Sequence, residues 1–222
     1  MSLILDILLP TTCLFCERLS SRVCEECEQT IGVEPRVVFR SGFIGFSAMS
    51  YNEQAQKLLR SYKELGESEL ARLMATTMSP LVDCFDQHPE LLVPIPSNRS
   101  SIRERGFNPA ELLARELSRQ LPATGWSNIL GRRRETKDQS KLNPDERAQN
   151  QFGSMFGRVG SGRVLLVDDV VTTGASLLEA KETLENSGYF VQGFVTFAET
   201  ESKRCTLTTQ VMLPADGGTS WN

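Results

Sequence analysis

The chain has 222 residues, 40% of them hydrophobic, which is enough for one substantial core and a small appendage. Its formal net charge of −4 excludes a global positive field that would gather nucleic acid. No stretch approaches the ~18 apolar residues of a membrane helix. The single histidine, His88, stands beside Pro89 and gives no basis for histidine-dependent chemistry.

Residues 1–10 are apolar but contain Asp6, lack a basic start and run straight into cysteines. They make a poor signal peptide and are expected to form a short helix on the next module. The chain is therefore expected to be cytoplasmic. Cys13-x-x-Cys16 and Cys24-x-x-Cys27 follow. Each pair is a knuckle offering two thiolates to one metal, and two knuckles complete a closed tetrahedral site, as in structural zinc. The gap between them is shorter than in usual ribbons. A reducing cytosol argues against a disulfide pair, and the spacing is not the usual one for an iron–sulfur cluster. Glu17, Glu25, Glu26 and Glu28 surround the ligands, so stabilisation or docking suits this zinc module better than nucleic-acid binding. Cys84 and Cys205 read as packed hydrophobes. The expected organisation is a zinc-binding module over 1–35, an α/β domain over 36–202 and a polar tail over 203–222.

Residues 43–50 predict a strand. Residues 52–63 predict an amphipathic helix with Ala55, Leu58, Leu59 and Tyr62 on one face, broken at Leu65-Gly66. Helical spacing resumes over 67–85 despite Pro80, and 91–95 predict a short buried strand. Helical periodicity returns at Pro109 and runs to Gln120, and 126–131 predict a further strand. Residues 132–141 are polar and non-periodic, hence a loop. Asn143-Pro144-Asp145-Glu146 reads as a helix start. Residues 189–198 predict the last strand. Strands alternating with helices argue a parallel α/β sheet. Between Arg99 and Arg147 the local balance is eleven basic residues against seven acidic ones. That is either a solvated basic face or a surface for an anionic ligand.

Residues 164–176 read Val-Leu-Leu-Val-Asp-Asp-Val-Val-Thr-Thr-Gly-Ala-Ser. The apolar run predicts a buried strand. The small residues after it predict a turn opening the helix 177–186, whose backbone N–H groups can wrap a phosphate. Asp168 and Asp169 repel phosphate. They can instead accept hydrogen bonds from sugar hydroxyls, or hold a cation that bridges to a diphosphate. No Walker loop is present.

This segment resembles the phosphoribosyl-diphosphate (PRPP) motif of type I phosphoribosyltransferases. The resemblance gives Asp168 and Asp169 the ribose hydroxyls, and Thr172, Thr173, Gly174, Ala175 and Ser176 the 5-phosphate, with Val170 inside the same motif. From end to end the chain resembles the ComF family of phosphoribosyltransferase-like proteins. The paired Cys-x-x-Cys, Leu92-Val93-Pro94-Ile95-Pro96, Arg103-Glu104-Arg105-Gly106-Phe107-Asn108, and the pattern from Arg134 through Gln139 to Leu142, Arg147, Asn150, Gly153 and Phe156 carry it. Pro109 stands where Gln is expected and Ser176 where Thr is common.

The resemblance implies a type I phosphoribosyltransferase-like fold, a twisted parallel sheet flanked by helices, with a small N-terminal zinc module built on four cysteines. It implies PRPP with Mg²⁺ as ligand, and Pro96, Arg103 and Arg105 near the diphosphate. It makes Asp168 and Asp169 catalytic candidates, and Arg134 and Lys137 catalytic candidates on a mobile loop with Gln139. It further implies single-stranded DNA or a competence helicase as candidate partners, in DNA uptake or nucleotide metabolism. A non-catalytic PRPP sensor acting through partners is the alternative. The acceptor is not indicated, and the oligomeric state is left open, with a dimer among the options.

Overall fold

A computed structural model describes residues 11–40, 42–66, 68–133 and 154–200. Residues 1–10, the helix start at 143–146 and the tail 203–222 lie outside these, as do Arg134, Lys137, Gln139 and Cys205. The described elements in chain order are α1 (Glu25–Glu28), β1 (Arg36–Arg40), β2 (Phe43–Ser50), α2 (Glu53–Leu65), α3 (Ser68–Val82), β3 (Leu91–Pro94), α4 (Arg99–Arg105) and α5 (Pro109–Gln120). Then come β4 (Gly125–Trp126), β5 (Leu130–Arg132), β6 (Met155–Gly157), β7 (Gly162–Val171), α6 (Ala175–Asn186) and β8 (Tyr189–Glu199).

Six strands form one sheet in the order β1-β2-β8-β7-β3-β4. All neighbours pair in parallel except β1 with β2. The central strand β7 shows why. Its apolar run alternates between two cores: Leu165 and Val167 join one buried cluster, Val164 and Leu166 the other. A strand covered on both faces must be apolar at successive positions. On one face α2, α3 and α5 contribute Leu58, Tyr62, Met74, Met78, Leu113 and Leu117. On the other, α6 contributes Leu177, Ala180 and Leu184, packed with Phe194. No described helix is long and apolar enough to cross a membrane.

The register places the site. Strand β3 ends with Pro94 opposite Val167. Strand β7 runs on, pairing Asp168, Val170 and Val171 with β8. Asp168 and Asp169 therefore project past the end of β3, beside the loop that begins at Ile95. A ligand notch at such an edge is the usual consequence of an open parallel sheet.

Some expectations need correction. Residues 126–131 are not one strand but β4 and β5. The amide of Ser127 still bonds the Leu92 carbonyl, and the chain then leaves the sheet to form an antiparallel hairpin of β5 with β6. Arg132 belongs to β5 rather than to the expected loop, most of which lies outside the described residues. Strand β7 extends to Val171, beyond the acidic pair, because β8 continues alongside it. Helix α6 opens at Ala175, two residues earlier than expected, on Gly174 with φ of 83°. That left-handed conformation favours glycine.

The cysteine module is tied to the main body. Val23 and Ile31 are buried in the same cluster as α2 and α3, with Leu14, Phe15 and Cys27 packed against it. Gln54 of α2 also accepts from the Gly32 amide and donates to the Thr30 carbonyl.

Candidate functional site

A cleft of about 230 Å³ lies at the C-terminal edge of the sheet. Asp168, Asp169, Pro96, Arg105 and Ser176 all line it, together with Lys63, Asn98 and Arg132. Thus residues from three predicted segments converge on one cavity. The cleft does not take in all of them. Arg103 lines a neighbouring cavity of about 420 Å³ with Arg99, Arg132 and Arg133. Thr172 and Thr173 are exposed on the turn before α6, and Ala175 is exposed as the first residue of that helix. Val170 packs against the core cluster of α2, α3 and α5.

The acidic pair is held unequally. Asp168 accepts a hydrogen bond from the Asp169 amide at 2.9 Å. Burial, then the charge of Asp169, push the Asp168 carboxyl well above the usual carboxylate range, and the Asp169 amide and Lys63 oppose this only partly. Asp169 is 6% exposed. Its Oδ2 lies 2.7 Å from Lys63 Nζ, an ion pair whose angles are not those of a hydrogen bond. The ammonium neutralises this buried oxygen, and a partner that is 28% exposed can give way to a ligand's donors. Hydroxyl donors, or a hard cation brought in with phosphate oxygens, would satisfy it.

The loop after β3 is fastened by a residue that breaks a local rule. Asn108 occupies the N-cap position of α5 but makes no capping bond. Its side chain instead donates to the Ile95 carbonyl at 3.2 Å and accepts from Ser97 Oγ at 2.8 Å. The neighbouring Gly106, at φ of 85°, closes α4. Phe107 then meets Tyr62 edge to face, ring centres 6.0 Å apart. It also packs on Gly66, where a Cβ would come within 2.8 Å of its ring. Tyr62 Oη donates to the Pro109 carbonyl at 2.6 Å. The Arg-Gly-Phe-Asn segment thereby fixes both the loop at 95–98 and the end of α2 that carries Lys63.

A second tether crosses the cleft. Arg132 donates from Nε to the Pro96 carbonyl at 2.8 Å and from Nη1 to Ser154 Oγ at 3.0 Å. Ser154 Oγ in turn donates to the buried Glu179 of α6 at 3.0 Å, which also accepts the Met155 amide at 2.8 Å. Sequence reasoning did not single out Lys63, Asn98, Arg132 or Glu179 as site residues. Only Asn108 left a trace, as part of a motif.

The four cysteines meet as well. Their sulfurs all lie within 4.8 Å of one another, and Cys16 and Cys24 Sγ are 3.6 Å apart. Zn–S bonds of about 2.3 Å in a tetrahedron require roughly that separation. The Cys24 amide points at Cys13 Sγ at 3.4 Å. Burial raises the Cys13 thiol, but amides of Cys16, Cys24 and Phe15 outweigh it and bring it to about 6. Cys27 is pushed up to about 12, first by its contact with Cys24. Cys13 is thus poised to ionise, while Cys27 needs a cation to release its proton. The donor set and spacing fit zinc.

Fold and site together define a type I phosphoribosyltransferase architecture with an added four-cysteine module. Residues 67–207 match the family described as phosphoribosyl transferase domain. Among curated relatives, Competence protein F of Haemophilus influenzae is 36% identical over 105 residues, 45% of this chain and 46% of that one. Competence protein ComFC of Bacillus subtilis is 30% identical over 185 residues, 79% of this chain and 72% of that one. The chain belongs to the phosphoribosyltransferase domain family, in its ComF-like branch. It spans less than half of the Haemophilus protein's length. Among solved structures, adenine phosphoribosyltransferase from Thermoanaerobacter pseudethanolicus is 13% identical, with a TM-score of 0.41 over 78% of this chain and 87% of that one.

Proposed function

We propose that the chain binds PRPP with Mg²⁺ in the Asp168–Asp169 cleft and transfers the phosphoribosyl group to an acceptor. One observation carries this reading. The acidic pair projects past β3 into a cavity that it shares with Pro96, Arg105 and Ser176. Asp168 and Asp169 accept the ribose hydroxyls, displacing the Lys63 contact. The turn 172–176 takes the 5-phosphate at the start of α6, where first-turn amides have no partner within the helix. The loop 95–98 faces the diphosphate, with Arg105 beside it and Arg103 on the adjoining wall. Asp168 and Asp169 are the residues that would hold Mg²⁺, which would supply charge neutralisation of the diphosphate. The C1–oxygen bond to diphosphate breaks as a bond from C1 to the acceptor forms, through an oxocarbenium-like state. The chain's contribution is to position the sugar and to stabilise the departing negative charge.

Arg134 and Lys137 remain catalytic candidates by resemblance. Zinc is the metal proposed for Cys13, Cys16, Cys24 and Cys27. The names of the curated relatives support a link to competence, with single-stranded DNA or a helicase as candidate partner. The test is calorimetric titration of PRPP with and without Mg²⁺, followed by a diphosphate-release assay with a panel of bases. Binding followed by acceptor-dependent release is the expected result. Binding without release from any acceptor leaves a sensor acting through partners, and absence of binding rejects the reading.

A further inference from the structure

Arg40 is the last residue of the edge strand β1, yet it is only 9% exposed. Burial of a guanidinium is costly unless its donors are used. Here Nη2 donates to Glu199 Oε2 at 2.7 Å and to the Thr200 carbonyl at 2.7 Å. Nη1 donates to the Phe39 carbonyl at 3.1 Å. Nε donates to the carbonyl of Thr172 at 3.0 Å, across 132 residues of sequence. Thr172 is the first residue beyond β7, where the turn toward α6 begins.

We propose that Arg40 is a positioning residue for the 5-phosphate turn, a role that rests on the PRPP reading above. A backbone turn that receives an anion must present amides to it and keep its carbonyls occupied elsewhere. The Thr172 carbonyl is engaged on the β1 side by Arg40. The end of β8 secures the residue before it, since the Thr200 amide bonds the Val171 carbonyl at 3.0 Å. Arg40 therefore extends a clamp that the sheet begins.

The charge arrangement points the same way. Glu199 is shared by Arg40 and Arg36, whose Nε lies 3.1 Å from Oε1. Two guanidiniums share this one carboxylate, so it neutralises the charge that Arg40 brings to Thr172 only in part. Glu34, 3.9 Å from Arg36 and 73% exposed, is too loosely placed to cancel it. Arg36 makes no contact with Thr172 among those described, so it serves as an internal control.

The experiment titrates ribose 5-phosphate and, separately, magnesium diphosphate into full-length wild-type protein and into Arg40→Lys and Arg36→Lys variants. Lysine at 40 cannot reach Thr172 and Glu199 with a fork of donors. Arg40→Lys should weaken ribose 5-phosphate about tenfold, the worth of one charge-assisted bond, and leave magnesium diphosphate unchanged. Arg36→Lys should lower the thermal midpoint comparably and alter neither affinity. Arg40→Gln carries the same expectation if the lysine variant does not fold. Unchanged ribose 5-phosphate affinity, or equal loss of both ligands, overturns the proposal. Wild-type protein that binds neither ligand overturns the PRPP reading beneath it.

Discussion

Asp168→Asn separates ligand binding from stability, with opposite signs expected for the two. Asparagine matches aspartate in size and keeps an oxygen for the Asp169 amide, which now donates to Asp168 at 2.9 Å. Only the negative charge is lost. In the ligand-free protein that charge is a liability, since burial first and Asp169 second raise the carboxyl well above its ordinary range. The folded state thus holds the proton more tightly than the unfolded chain. Stability from this group is full below the ordinary aspartate range and declines as pH rises toward the folded value. At neutral pH the asparagine variant should therefore unfold later than wild type. A gain of ~1 kcal/mol moves the midpoint by about 2–4 °C in a chain of this size. PRPP should meanwhile bind roughly 10–100-fold more weakly, because a hydrogen bond to a charged acceptor is worth about 1.5–3 kcal/mol. Thermal shift across pH 4 to 8, paired with calorimetry, reads both. A variant that is less stable at pH 7, or that binds PRPP like wild type, refutes the reasoning.

Lys63→Met leaves Asp169 buried beside no cation and should destabilise the protein by about 2 kcal/mol in chemical denaturation, less than a fully buried pair would cost, because Lys63 is 28% exposed. Adding Asp169→Asn should recover most of that loss; failure to recover means the ion pair is not its source. Asn108→Ala should weaken magnesium diphosphate about tenfold by releasing the loop at Ile95 while sparing ribose 5-phosphate. Because Asn108 makes no capping bond, the accompanying stability loss should stay near the low end of cap values, ~0.5 kcal/mol. Freshly purified protein should contain one zinc per chain by elemental analysis. Cys24→Ser or strong chelation should release the packing of Val23 and Ile31 and lower the unfolding midpoint; an unaffected midpoint contradicts a structural metal.

The sheet was legible because its strands obey simple rules. The run 164–167 is apolar at successive positions and lies at the centre. The amphipathic stripe Ala55, Leu58, Leu59, Tyr62 became a buried helix face. Helix α4 was not legible, since Ile102 is its lone apolar residue. The β5–β6 hairpin joins segments separated by 22 residues, and no local pattern announces such a pairing. At the site, the acidic pair could be read because two adjacent carboxylates after an apolar run conflict with ordinary strand chemistry. Lys63 could not, because a lysine in the last turn of a helix is also what the helix dipole favours. Its contact with Asp169 spans 106 residues and exists only through the fold. Glu179 was hidden for a similar reason: a glutamate on a helix is ordinary, and only its burial beside Ser154 and Met155 marks it.

The most direct test of the central claim is a crystal structure of the full chain with PRPP and Mg²⁺. The expected density places the ribose hydroxyls on Asp168 and Asp169, with Lys63 drawn away from Asp169, and the 5-phosphate on residues 172–176. A sugar bound elsewhere, with the Lys63–Asp169 pair intact and the turn empty, would contradict it.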